Sequence, residues 1–107
     1  MSTVAIEVGS TNVYADMGYP NPEEMQRKSS LARAISQGIK ARGLTQQQAA
    51  ELLGIDQAKI SKITRGQFRG VSEAKMLELV SKLGRDITIV VSKKVHRGAG
   101  KIALQIA

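Results

Sequence analysis

Residues 45–66, TQQQAAELLGIDQAKISKITRG, decide the fold of this chain. Thr45 is a favoured helix N-cap, and Gln48 three residues later completes the pattern of a capping box. Gly54 lies where this first short helix must end, because glycine adopts the left-handed backbone conformation at little cost. The stretch therefore begins with a helix of about two turns that stops at a tight turn.

The second half of the same stretch predicts another helix. Asp56 is a suitable N-cap, and Ile60 and Ile63 recur at a spacing that places both on one buried face. The polar and basic side chains left on the other faces are Lys59, Ser61, Lys62 and Arg65. Two short helices joined in this way form a helix-turn-helix, whose second helix enters the major groove of DNA. The alternative is an αα-hairpin that packs for stability alone.

The composition limits the other functions. A chain of 107 residues without cysteine forms one domain with neither disulfides nor thiolate metal sites. His96 is the one histidine, so we expect no metal, no cofactor and no enzymatic activity. The longest apolar runs are far below the ~18 residues of a membrane span, and no signal peptide is visible. We therefore expect a cytoplasmic protein.

The charge distribution indicates the partner. The formal net charge is +7, yet residues 1–24 contain four acidic side chains and no lysine or arginine. All 16 basic residues lie in the remainder of the chain, which favours a polyanion such as duplex DNA. RNA is a weaker candidate, because the aromatic side chains that would stack on bases are limited to Tyr14, Tyr19 and Phe68.

Helix signals flank the central stretch on both sides. Residues 21–24, Asn-Pro-Glu-Glu, predict a helix start, and the helix can run to Arg42 or break at residues 29–30. Ser72 is the N-cap of a later amphipathic helix that ends at Gly84. The sequence therefore predicts three parts: an acidic flexible N-terminal arm over residues 1–20, a helical DNA-binding domain over 21–84, and a β-element over 85–107.

That last segment has the two-residue period of strands. Residues 86–95 are rich in β-branched side chains, residues 96–100 carry a turn signal, and apolar residues alternate again over 102–106. We predict a hairpin, or one strand with a loose tail. Because a lone hairpin is marginal in water, we expect it to pair with a second copy and form a homodimer. The alternative is that it packs on its own helical domain.

Taken together, these segments resemble the lambda-repressor-like (XRE/Cro) helix-turn-helix family over roughly residues 31–84. Within that family the chain is most similar to the HigA-type antitoxins of type II toxin–antitoxin systems. NVYADMGYPNPEEM, at 12–25, and GRDITIVV, at 84–91, support this closer resemblance. The resemblance implies a mainly α fold, with four or five helices and a C-terminal β-strand or hairpin, that binds its own operator as a repressor.

The resemblance also implies roles for individual residues. The positions that it places at base edges are Gln57, Ala58 and Lys62, with Ser61 nearby. The positions expected at DNA phosphates are Thr45, Gln46, Lys59, Arg65 and Arg69. Glutamine can bind adenine through two hydrogen bonds, and lysine can reach guanine acceptors. Ala58 departs from family members that carry a polar residue at this position. Its side chain can offer a base only a methyl contact.

A toxin partner is implied by the resemblance too. Such partners are small basic ribonucleases of the RelE/HigB type, and the acidic arm is a fitting ligand for a basic surface. The arm residues expected to bind it are Val13, Tyr14, Met17 and Tyr19. Two alternatives stay open: a stand-alone repressor of phage or plasmid origin, and a protein-interaction adaptor that does not bind DNA.

Overall fold

The computed structural model describes residues 21–107. Its four helices are α1 (Pro22–Ala41), α2 (Gln46–Leu53), α3 (Gln57–Thr64) and α4 (Glu73–Lys82). The mainly α prediction is confirmed, with four helices in the described part of the chain. The predicted arm over 1–20, with its proposed toxin-binding residues, lies outside the described residues. None of the four helices combines the length and the hydropathy that a membrane span requires.

Helix α1 is continuous, so the possible break at residues 29–30 does not occur. Leu31, Ile35 and Ile39 recur every four residues and are all buried, which keeps one face of the helix against the core through this stretch. Asn21 precedes the helix as expected, but its side chain makes no capping hydrogen bond. The helix ends at Ala41, and Gly43 two residues later takes a φ of +65°, a left-handed conformation that cannot continue the helix.

The core forms between α1 and α4, which pack on each other, with α3 packed against α1 and α2 packed against α4. Among its fully buried side chains are Ile35, Leu53, Ile60, Met76 and Leu79. The central stretch thus contributes Leu53 from α2, and Ile60 and Ile63 from α3, as fully buried side chains. This burial fixes the orientation of α3, because rotating it would expose its apolar half to water.

The prediction of a β-strand or hairpin at the C-terminus was wrong for this single chain. Residues 85–107 contain no strand and no helix. Ile89, Val90 and Val91 are 77%, 82% and 88% exposed. The physical reason is that two short strands with no sheet or helix beneath them bury too little apolar surface to persist. Only Leu104 and Ile106 in this segment pack against the helical core.

Candidate nucleic-acid interface

The start of α2 is built by the predicted capping box. The Gln48 amide donates to Thr45 Oγ1 at 3.1 Å, and the Thr45 amide donates to Gln48 Oε1 at 2.9 Å. These two bonds satisfy backbone donors that a helix start would otherwise leave open. Thr45 and Gln46 are both exposed there. The helix start therefore leaves these two side chains open to solvent.

The turn between α2 and α3 has the geometry that the glycine predicted. Gly54 takes φ +71° and ψ +28°, and its amide donates to the Ala50 carbonyl at 2.9 Å. Asp56 Oδ1 then accepts a hydrogen bond from the Lys59 amide at 2.8 Å, so that it caps α3. Because both helix ends are held by bonds spanning three or four residues, the angle between the helices is fixed locally.

Helix α3 divides into a buried and an open side. Ile60 and Ile63 are 0% and 1% exposed, as predicted. The exposed residues of α3 and its C-cap are Gln57, Ala58, Lys59, Lys62 and Arg65, and Ser61 is half-buried. The structure thus brings the predicted base-reading and phosphate-binding residues of α3 onto one exposed, cationic helix surface. That surface is available to lie in a groove of DNA.

Arg69 joins this surface from the loop over residues 66–71. An open cleft of about 580 Å³ lies between α3 and this loop, with Lys59, Lys62, Phe68 and Arg69 among its lining. Phe68 is buried and anchors the loop. Three of the predicted cationic residues therefore share one cleft. Thr45 and Gln46 do not line it, since they lie at the start of α2.

Two lysines that the sequence did not mark as functional support this surface. Lys28 of α1 is buried, and its ammonium donates to the Arg69 carbonyl at 3.3 Å. Lys82 of α4 donates to the Leu53 carbonyl at 3.2 Å, next to the turn at Gly54. Lys28 thereby ties the loop to α1, whereas Lys82 braces the turn. In the sequence, Lys28 is marked only by Glu24 four residues earlier. A glutamate–lysine pair at this spacing is typical of an exposed helix face, so it did not predict burial.

Lys82 also belongs to a small charged group on α4. Its ammonium lies 3.3 Å from Glu78 Oε2, and Lys75 lies 3.6 Å from Glu78 Oε1. The hydrogen bond from Lys82, together with the positive charge of Lys75, lowers the pKa of Glu78. The lowered pKa favours the ionised carboxylate, which pairs with the Lys82 side chain beside the turn.

The role of Lys28 can be measured by unfolding. We expect Lys28→Met, which retains an apolar stem, to lower the free energy of unfolding by about 1–2 kcal/mol, because the Arg69 carbonyl loses a charged donor. Lys40→Met is the matched control, since Lys40 is exposed on the same helix. Urea denaturation of both variants tests this. Equal unfolding midpoints for the two would show that the buried ammonium does not hold the loop.

Comparisons with known proteins agree with this geometry. The family described as "Helix-turn-helix domain" matches residues 13–92. A solved structure, provisionally described as an XRE-family transcriptional regulator, is 36% identical, with a TM-score of 0.71. The alignment covers 82% of this chain and 100% of that one. No curated protein matches the chain. The chain therefore belongs to the XRE-type family of helix-turn-helix DNA-binding transcriptional regulators.

Proposed function

We propose that the chain is a repressor that recognises a specific operator through α3, and that it also serves as the antitoxin of a toxin–antitoxin pair. The repressor role is supported by one observation, the division of α3 into a buried apolar side and an exposed cationic side. Its apolar residues Ile60 and Ile63 are buried, whereas Lys59, Lys62 and Arg65 are exposed on or next to the same helix. A helix held by its core side presents its cationic side to the major groove without rearrangement.

The proposed contacts divide into those with base edges and those with phosphates. Gln57 and Lys62 are the candidates for bidentate or guanine-directed contacts to base edges, Ser61 can add a hydrogen bond, and Ala58 can meet a thymine methyl. Lys59, Arg65 and Arg69 are the candidates for phosphates, together with Thr45 and Gln46 at the start of α2. An operator bound in this way would be occluded from RNA polymerase.

A homodimer fits this proposal. Residues 87–95 leave several apolar side chains in water, including Val91 and Val95, which are 88% and 89% exposed. Exposed apolar segments of this kind can pair edge to edge with a second copy and cover one another. Two copies related by a two-fold axis would then read half-sites about one DNA turn, or ~34 Å, apart.

The base-reading role of Lys62 has a direct test. We expect Lys62→Ala to weaken binding to the cognate operator by about 1–3 kcal/mol and to reduce its preference over a scrambled duplex. Arg65→Ala should instead weaken both duplexes equally, because a phosphate contact carries no sequence information. Gel shifts on the two duplexes measure this. A Lys62→Ala protein with undiminished selectivity would remove Lys62 from base readout.

The same gel shifts, repeated over a range of salt concentrations, separate a DNA-binding repressor from an adaptor. A DNA-binding protein should lose affinity steeply with salt, since each neutralised phosphate releases counterions. An adaptor should give no retained complex at ~100 mM salt. A stand-alone repressor would pass this test as well. It would be distinguished by the neighbouring reading frame, which should not encode a small basic toxin.

The antitoxin role is assigned to the N-terminal arm. Residues 1–24 carry only acidic charges, and the arm adds Val13, Tyr14, Met17 and Tyr19 as apolar contacts. A small basic toxin complements both properties. Deleting residues 1–20 should abolish co-purification of the toxin and leave operator affinity near that of the full chain. If the truncated protein retained the toxin, the interface would belong to the helical domain instead.

A further inference from the structure

Two arginines hold the end of the chain by its backbone. Arg27 Nη1 of α1 donates to the Ile102 carbonyl at 3.1 Å. Arg85, just after α4, donates through Nη2 to the Ala107 carbonyl at 2.8 Å. We call residues 101–107 the tail. The two bonds lie five residues apart along the tail, so that each end of it is held by a charged donor.

The side chains between these bonds alternate. Leu104 and Ile106 are half-buried against the helical core, whereas Ala103 and Gln105 are exposed. This two-residue period is that of an extended segment with one face on a surface. We call the helical surface beneath Leu104 and Ile106, together with Arg27 and Arg85, the tail seat. It recognises backbone carbonyls and two apolar side chains.

The seat is pre-formed on the α1 side. Glu73 of α4 accepts from Arg27 Nε at 2.6 Å and from Arg27 Nη2 at 3.0 Å. This two-bonded ion pair fixes the plane of the guanidinium, and it leaves Nη1 for the Ile102 carbonyl. The seat therefore exists as part of the helix packing, and the tail adds to it as a separate segment.

The connection between the helices and the tail is held weakly. Every residue from 86 to 100 is exposed, and no backbone–backbone hydrogen bond of the described chain involves residues 86–107. Ile89, Val90 and Val95 are more than three-quarters exposed. This connection therefore makes no backbone hydrogen bond that would hold the tail on its own helices. Its exposed apolar side chains also form a surface that a second copy would cover.

We infer that the tail seat accepts the tail of a second copy, so that two chains exchange residues 101–107 within the dimer. The contacts at the seat are identical whether the tail comes from the same chain or from the other, so exchange costs little. Pairing of residues 87–95 between two copies would bury their apolar side chains only in the dimer, and it would bring the segments that follow, the two tails, close to each other. This inference rests on the proposed dimer.

A mixing experiment with two defective full-length variants tests the exchange. The seat variant, Arg27→Met with Glu73→Leu, replaces both partners of the ion pair and so leaves no uncompensated charge. The tail variant, Leu104→Asp with Ile106→Asp, cannot pack on the seat. In a mixed dimer with exchanged tails, the intact tail of the first variant reaches the intact seat of the second. With tails on their own chains, no intact pair of tail and seat exists.

Sedimentation velocity with one variant fluorescently labelled gives the readout. We expect each variant alone to dimerise about tenfold more weakly than the wild type. The mixed dimer restores one of the two pairs of tail and seat, so it should recover about half of the lost free energy, or roughly threefold in affinity. A mixed dimer no tighter than either variant alone would overturn the exchange and leave the dimer standing. A wild-type protein that stays monomeric would overturn both.

Folding is controlled in the same samples. Far-ultraviolet circular dichroism should match the wild type for both variants, since neither change touches the fully buried residues of the core. If the seat variant were unfolded, Arg27→Lys would replace it, because lysine keeps the charge opposite Glu73 but lacks the planar fork that also reaches the tail. The same recovery is expected on mixing, and its absence would again reject the exchange.

Discussion

Replacing Lys59, Lys62 and Arg65 together by alanine is expected to lower operator affinity by about 10³-fold per half-site at ~0.1 M salt. Each side chain is exposed on α3 or at its C-cap, away from the buried Ile60 and Ile63. If each contributes about 1.4 kcal/mol, the three tenfold effects multiply when the side chains act independently. Fluorescence anisotropy with a labelled operator measures the change.

The salt dependence of the same titration shows how many of the three side chains bind phosphate. Each phosphate that is no longer neutralised lowers the slope of log affinity against log salt by about one unit, so the slope of the triple variant should fall by about two units per half-site, one each for Lys59 and Arg65. Arg33, Lys40 and Arg97 form the matched control, because their replacement by alanine removes the same charge from exposed positions outside α3 and outside residues 87–95 and 101–107. The control should keep most of the slope.

The comparison between the two triple variants shows whether DNA binds at the α3 surface or is attracted by net charge alone. A control variant whose affinity falls as far as that of the α3 variant would show that net charge, rather than the α3 surface, drives binding. Circular dichroism is expected to be unchanged in both, because none of the six side chains is buried. Weaker binding can then be assigned to the surface itself.

The elements that the sequence predicted well are those fixed by local bonds. The capping box at Thr45, the cap at Asp56 and the left-handed Gly54 each involve hydrogen bonds or backbone angles within four residues. Such signals can be read from spacing alone. The burial of Ile60 and Ile63 follows from the same local logic, since the caps fix where the helical period starts.

What the sequence could not predict depends on interactions across long separations. Lys28 lies 41 residues before the Arg69 carbonyl that it binds, and Arg27 lies 75 residues before Ile102. No local pattern distinguishes these cations from solvent-exposed ones. The prediction for the C-terminal segment failed for a related reason, because its alternation is compatible with a strand only when a partner supplies the rest of the sheet. A single chain does not contain that partner.

The candidate site could be predicted from the sequence only in part. The sequence predicted which residues face outward on α3, and the structure places Gln57, Lys59 and Lys62 there. It did not predict that the loop carrying Arg69 folds beside α3 and is tied to α1. Whether each side chain reads a base or grips a phosphate remains a prediction, since it depends on the register of α3 along DNA.

Gly54→Val is expected to lower the free energy of unfolding by about 2–3 kcal/mol, because a β-branched residue resists positive φ. Gly54 takes φ +71°, and a Cβ added there would meet Lys82 Nζ at 3.6 Å, an ordinary contact distance. The cost is therefore backbone strain rather than collision. For a domain of this size the melting temperature should fall by about 10–20 °C.

Two further variants separate this strain from the mere addition of a side chain. Gly98→Val is the matched control, since a Cβ at Gly98 meets nothing within 4 Å and its φ lies outside the left-handed region. Gly54→Asn should be milder than Gly54→Val, because asparagine tolerates the left-handed region. Thermal melts should rank the three, with Gly98→Val nearest the wild type and Gly54→Val lowest.

Operator binding by Gly54→Val should weaken more than its reduced stability alone explains. The turn fixes α3 relative to α2, and the Leu53 carbonyl beside it accepts from Lys82 at 3.2 Å. Relief of strain at position 54 would reorient this junction, and the Thr45 end of α2 could then no longer reach phosphate while α3 lies in the groove. A folded Gly54→Val protein with wild-type operator affinity and a wild-type melting temperature would show that the angle between α2 and α3 does not depend on this glycine.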